Sequence, residues 1–489
     1  MKNTNYESTS RRSLAILLVL LTLSNFACGS TDNTEPDSTT DGSTSDGTSS
    51  ATDSADTTMA IDELEVRDLG DRDVNILLRS EWDYEFMVDE QSGGTVSDAI
   101  YKRNTAVEVS YNCNLNFIDF AGDWANHDNF TNIIHNSVLA GDGAYDFIAG
   151  YQAVLTLNIQ NGDLMNLYEV PHLELDAPWW TEAGIEELTF NGRCYQVGGD
   201  IAVSLLEGIN CMFYNKRLAE DFSVPDLYEL VRAGEWTHDK MLEVSRDIYL
   251  DVNSDGIKGT EDRFGFISQG PYIRTYVVAY DTPTISSEGE LIWNTEHTIN
   301  VIEKLVDCFA TPDVYETKDN AESEKLFSDG RALLMNCTLG TASKLRSMDD
   351  DFGIIPYPKF DENQENYMTT TSNDVSMICV PVTAPDPEVS GLIIEALCRE
   401  SHDTVAPAFY EVALKSKYTR DENSVEMIDL IRESLTFDFG WIGSLATVVS
   451  GAQYQVMVEA GNKDFASWYA ANEAEIQAGI DGYLSVYRE

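Results

Sequence analysis

Asp73-Val74-Asn75-Ile76-Leu77-Leu78-Arg79 is an apolar run without turn residues, and it reads as the strand that opens the ordered part of the chain. A helical stretch follows over residues 97–106. Val107-Glu108-Val109-Ser110-Tyr111 then alternates apolar and polar side chains as a strand does. A second helical stretch over 130–140 is broken by Gly141-Asp142-Gly143, and Asp146-Phe147-Ile148-Ala149 reads as the next strand. Strands alternating with helices at this spacing predict an α/β fold, a parallel sheet with helices on its faces. No internal repeat with a period of roughly 20–50 residues is present.

The same style continues downstream. A strand is expected over 208–214, a helix over 216–221, and a turn ending at Pro225. Trp236-Thr237-His238-Asp239-Lys240 opens a helix with Thr237 as N-cap and Asp239 near its positive end, Trp236 stapling the helix it precedes. Residues 326–330 end another helix and Arg331-Ala332-Leu333-Leu334-Met335 starts a strand. Phe352-Gly353-Ile354-Ile355-Pro356-Tyr357-Pro358 is an edge strand that its prolines close. Over 464–488, Phe465, Trp468, Tyr469, Ile476, Ile480 and Tyr483 recur at helical spacing, so a last helix packs on the body.

The N-terminus sets the compartment. Lys2, Arg11 and Arg12 precede an apolar run over 14–23 that is too short to span a membrane as a mature helix, which is the pattern of a secretory signal. At Asn25-Phe26-Ala27-Cys28-Gly29 a small residue stands directly before a cysteine. This resembles the lipobox of bacterial lipoproteins, whose cysteine is acylated and becomes the mature N-terminus; Asn25 departs from the usual leucine. Residues 29–58 are nearly all Ser, Thr, Asp, Gly and Ala, too poor in apolar surface to offset the entropy of ordering. The expected organisation is a signal peptide over 1–27, then a lipid anchor at Cys28 and an acidic linker over 28–72. The folded body is therefore held outside the cytoplasm above a membrane.

Charge and motifs exclude several function classes. With 84 acidic and 31 basic residues the net charge is −53, which repels nucleic acid. Beyond Cys28, seven cysteines at 113, 194, 211, 308, 337, 379 and 398 form no CxxC pair, so no zinc site or compact disulfide framework is indicated. There is no HExxH, GxSxG, P-loop or strand-to-helix GxGxxG, and the six histidines are scattered. Binding without chemistry and without an organic cofactor is the expectation.

One local motif points to a metal. Asp251-Val252-Asn253-Ser254-Asp255-Gly256-Ile257-Lys258-Gly259-Thr260-Glu261-Asp262 places oxygen donors at loop positions 1, 3, 5 and 12, with Ile257 offering its carbonyl and Gly256 allowing a sharp turn. Calcium takes six to eight oxygen ligands in such a loop, so Asp251, Asn253, Asp255, Ile257 and Asp262 are candidate ligands of a structural Ca²⁺. Asp stands at position 12 where a bidentate Glu is usual. The alternative is a solvated acidic turn.

Sugars stack their C–H faces on aromatic rings and share their hydroxyls with carboxylates and amides. Aromatic and acidic residues meet beside turns at Glu81-Trp82-Asp83-Tyr84-Glu85, Pro178-Trp179-Trp180, Gly199-Asp200, Ser372-Asn373-Asp374 and Phe439-Gly440-Trp441. Trp82, Glu85, Trp180, Asp200, Asn373, Asp374 and Trp441 are therefore candidate ligand-binding residues. Core packing is the competing role for each ring.

Taken in order, Ala144-Tyr145-Asp146-Phe147, Arg193-Cys194-Tyr195-Gln196-Val197, Met212-Phe213-Tyr214-Asn215-Lys216, Gly234-Glu235-Trp236-Thr237, Phe327-Ser328-Asp329-Gly330-Arg331-Ala332, the 352–358 segment, the stretch 420–432 and Phe437-Asp438 resemble the family 1 extracellular solute-binding proteins of sugar ABC importers, the broad group that includes maltose-binding protein. The resemblance implies a two-lobe periplasmic-binding-protein-like fold of type II, with discontinuous lobes at 73–202 plus 376–436 and 203–375 plus 437–489. The hinge crossings would lie near 200–207 and 370–376. It further implies a monomer that captures a mono- or oligosaccharide by hinge closure and delivers it to an ABC permease. The rival readings are a cell-surface glycan hydrolase and a receptor for another solute such as a peptide.

Overall fold

The computed structural model describes residues 67–286, 288–418, 421–443 and 451–488. The signal peptide, Cys28 and the linker up to residue 66 lie outside the described residues. The described strands form two sheets. In the first, β1 (Arg72–Arg79) pairs in parallel with β2 (Cys113–Phe120) and β3 (Phe147–Tyr151), and β3 pairs antiparallel with β9 (Ser376–Cys379). In the second, β5 (Phe264–Gln269) runs parallel to β6 (Val314–Thr317) and β7 (Ala332–Thr338). Here β4 (Asn210–Asn215) runs antiparallel to β7 and to the edge strand β8 (Phe352–Ile355). Val74, Ile76, Leu77 and Leu78 are all buried, because helices cover both faces of β1 and leave no polar-facing register.

The strand expected at 107–111 is the last turn of the helix Thr95–Tyr111, and β2 begins just after it. Val107 and Tyr111, one helical turn apart, are buried, while Val109 is 71% exposed. Over five residues a buried i, i+4 pair mimics strand alternation. Asn112, at φ 49°, ends the helix in the left-handed conformation.

The segments that link the two sheets lie side by side. Ile209 pairs antiparallel with Thr371, and Thr369 pairs parallel with Leu435. Asn210 N–H donates to the Thr370 carbonyl at 3.0 Å, and Thr436 N–H to that of Thr369 at 2.7 Å. One boundary differs from expectation. The helix Glu422–Glu433, placed with the first lobe from sequence, packs on β8 of the second sheet through its apolar face of Met427, Ile428 and Ile431. Ile354 N–H donates to Ser424 Oγ at 3.2 Å, and Lys216 pairs with the N-cap Asp421 at 2.6 Å.

The final helix Phe465–Arg488 buries Phe465, Tyr469, Ile476, Ile480 and Tyr483 and meets the helices Gln152–Gln160 and Glu296–Phe309. Trp236 is core: its indole N–H donates to the Pro356 carbonyl at 3.0 Å. All seven described cysteines are buried free thiols. No described helix is long and apolar enough to cross a membrane.

Candidate functional site

Tyr151 ends β3, Gln269 ends β5, and Asn210 starts the antiparallel β4 opposite Thr338, the last residue of β7. These positions therefore share the edge where parallel strands finish, which is where α/β sheets leave a crevice for ligands. The cleft at this edge has a volume of ≈ 300 Å³. It draws Trp124 and Tyr151 from the first sheet's side, Gln269, Tyr272, Arg274 and Asn320 from the second, and Asn210, Ser372, Asn373 and Asp374 from the crossings. Trp441 completes it.

Each side chain has a reason to be where it is. Asp123 caps the short turn Trp124–Asn126 and leaves Trp124 52% exposed, stacked on His127 at 5.1 Å. Tyr151 is buried, its ring 5.0 Å from the Arg79 guanidinium and its hydroxyl 3.5 Å from Asn373 Oδ1. Burial, with Asp374 adding to it, pushes the phenol up to about 12. Asn210 donates Nδ2–H to the Thr370 carbonyl at 2.8 Å, and its buried Oδ1 has no partner among the described residues. That oxygen is an acceptor able to take a ligand hydroxyl. Ser372 donates its hydroxyl to Asp374 Oδ1. Trp441 sits in the short helix Phe439–Ile442, which the buried Asp438 caps by accepting the Trp441 N–H at 2.7 Å.

Beneath the cleft lies a buried charged clasp. Glu85 Oε2 accepts the Ser204 N–H and hydroxyl, both at 2.8 Å, and Oε1 accepts the Ser376 hydroxyl at 2.7 Å. Arg79 Nη2 donates to the Asp374 carbonyl at 2.6 Å and to Ser376 Oγ at 3.0 Å. Burial drives the Arg79 pKa down, and Glu85 and Asp374 oppose that shift. One carboxylate thus ties two crossings to the first sheet.

Of the sequence-derived candidates, the structure brings Asn373, Asp374 and Trp441 together in the cleft. It places the others elsewhere. Glu85 is inside the clasp, every acceptor engaged with protein. Trp180 is buried, its N–H donated to Glu395 Oε2 at 3.1 Å next to the matching bond from Trp179 at 2.7 Å. Asp200 pairs with His402 Nδ1 at 2.6 Å beside a separate depression lined by Tyr410 and Arg432. Trp82 is half-buried, its ring 5.9 Å from the Arg79 guanidinium. Turn position marked these residues in the sequence, but burial decided their role. Trp124, Tyr151, Asn210 and Arg274 were missed. For Trp124 a signal existed: Asp123-Trp124 follows a strand as Trp82 does.

In the Asp251 loop, Asp251 Oδ2 accepts the Gly256 N–H at 2.9 Å and Asp255 Oδ1 the Ile257 N–H at 2.8 Å, with Gly256 at φ 75°. Asp262 accepts from Val252 and Gly259, and Asn253 Oδ1 from the Asp255 N–H at 3.1 Å. Among the described residues no three His, Cys, Asp or Glu side chains converge as a metal cage. Asp251 Oδ1 is buried without a partner.

No family model matches this sequence, and no curated protein sequence does. Solved structures do. A maltose/maltodextrin-binding domain from Bdellovibrio bacteriovorus, bound to maltotriose, aligns with TM-score 0.52 at 12% identity over 85% of this chain and 98% of that one. The GacH receptor of Streptomyces glaucescens, solved without ligand and with acarbose, gives 0.54 at 12% identity over 86% and 99%. An ABC substrate-binding protein from Listeria monocytogenes in complex with cycloalternan gives 0.51 at 11% identity over 85% and 99%. The likeness is one of fold: this chain has the two-lobe architecture of those binding proteins.

Proposed function

We propose that this protein is the extracytoplasmic solute receptor of an ABC importer and that the cleft between its sheets captures a saccharide by hinge closure. The observation that carries the reading is the cleft itself. One exposed ring (Trp124), two largely buried rings (Tyr151, Trp441) and amide or carboxylate groups (Asn210, Asn373, Asp374) come from both sheets and from the crossings. A ligand touching all of them favours the closed arrangement and so shifts an open-closed equilibrium. The saccharides named for the structural neighbours support the sugar class.

A glycosidase needs two carboxyl groups flanking the scissile bond. Among the described residues lining the cleft Asp374 is the only carboxylate, which favours a receptor over a hydrolase. The test is thermal shift and small-angle scattering across mono- and oligosaccharides. Binding with compaction and unchanged ligand supports the reading; turnover, or compaction only with peptides, overturns it.

Two attributes rest on sequence. Cys28 carries the lipid anchor that holds this monomeric receptor near its permease, and Cys28→Ala should abolish acyl labelling. The Asp251 loop holds a structural Ca²⁺, for which the partnerless Asp251 Oδ1 is the supporting feature, and calorimetry on chelator-treated protein tests it.

A further inference from the structure

The cleft carries one guanidinium among its described lining residues, that of Arg274. Arg274 ends the short helix Gly270–Arg274 that follows β5. Its Nε–H donates to Gln455 Oε1 at 2.6 Å, and among the described residues no carboxylate forms an ion pair with it. Glu459 acts on it at longer range, itself held by Gln455 Nε2 at 2.5 Å. Residues 444–450, which lie outside the described residues, contain no acid. On the other wall the Asp374 carboxylate accepts the Ser372 hydroxyl, and the buried Arg79, which donates to the Asp374 main-chain carbonyl, acts on it electrostatically. Arg79 in turn meets Glu85 at Ser376. Asp374 thus has a buried cation beside it, whereas Arg274 has no carboxylate in an ion pair among the described residues.

An arginine fork matches a carboxylate in a planar, two-bond geometry that hydroxyls do not reproduce. At a net charge of −53 the molecule as a whole repels anions, but that field is screened beyond about 8 Å at physiological salt, so a contact inside the cleft decides affinity. Resting on the reading that the cleft holds a saccharide, we propose that its ligand is an acidic sugar of the uronate class. The carboxylate of the sugar docks on the Arg274 Nη groups and its ring stacks between Trp124 and Tyr151. Asn210 and Asn373 take the hydroxyls.

The test is calorimetric titration of the intact mature protein with mono-, di- and tri-uronides of α and β linkage. Each is paired with the neutral sugar obtained by reducing its carboxylate to a hydroxymethyl group, and triglycine serves as a zwitterionic control. The expected result is a preference of about tenfold or more for a uronide over its neutral partner. Arg274→Gln should remove that preference, lowering the uronide's affinity about tenfold more than its neutral partner's, and Arg274→Lys should restore part of it. Equal or tighter binding of the neutral partner overturns the acidic-sugar inference and leaves the saccharide reading standing. Binding of triglycine alone, or of nothing in the panel, overturns both.

Discussion

The two walls of the cleft solve the same task differently. On the first sheet's side, the contact surface is aromatic and rests on buried ions: Tyr151 lies over Arg79, and Arg79 and Glu85 meet at Ser376. On the second sheet's side the contact groups are amides and a guanidinium, Gln269, Asn320 and Arg274, whose polar ends stay in the cleft. The first wall's charges hold the crossings together, whereas Arg274 on the second has no carboxylate in an ion pair among the described residues. Stability and recognition should therefore separate between the buried groups and those exposed in the cleft.

The strongest way to break that contrast is Glu85→Ala. It leaves Arg79 buried without its compensating carboxylate and unties Ser204 and Ser376, so it should cost about 3–5 kcal/mol in urea unfolding. A loss within experimental scatter would show that the clasp is ornamental. Next comes Trp441→Ala, at a ring only 3% exposed, for which a comparable loss of about 3–5 kcal/mol is expected from the cavity alone. By contrast Trp124→Ala, at a half-exposed ring, should leave the melting temperature nearly unchanged and weaken saccharide binding about tenfold.

A pH titration sharpens the comparison, since each sheet's side holds a strongly raised acid outside the cleft lining. Glu395, buried beneath Trp179 and Trp180, is pushed up to about 7 by burial. Glu316, in β6, is raised to about 7 by burial and by Glu459 beside it. Both folded-state values lie above the ordinary carboxylate value, so between about pH 4.5 and 7 the folded state holds protons that the unfolded chain has lost. The contribution of these two groups is greatest at the acid end of that window, declines as pH rises through it, and is flat above about 7. Urea midpoints measured at pH 5, 6, 7 and 8 should show this, and Glu316→Gln should flatten only part of the slope. The smallest effect is expected from chelator treatment: if the Asp251 loop holds calcium as proposed, a modest fall in melting temperature follows.

Much of the fold was legible because hydrophobic periodicity is local. β1, β3, β4, β7 and β8 stand where their apolar runs indicate, and the last helix buries the residues its spacing names except Trp468, which is half-buried. The failure at 107–111 was also local, a helix turn too short to distinguish from a strand. For the site, Asn373, Asp374 and Trp441 could be found because they lie at a crossing or just after one. Glu85 and Trp180 had the same chemistry and the same turn context. Nothing within a few residues of either indicates that its polar atoms meet protein partners from segments more than a hundred residues away.

The sequence by itself determined the alternation of strands and helices and the acidic composition, since each depends on composition or on spacing within one segment. The tertiary structure alone decided which acids became a buried clasp, and that Trp124, Tyr151 and Arg274 share one cleft. Side chains 150 residues apart are brought together by sheet pairing and by crossings that run side by side, and burial then sorts charges into those that must be compensated and those left open to a ligand.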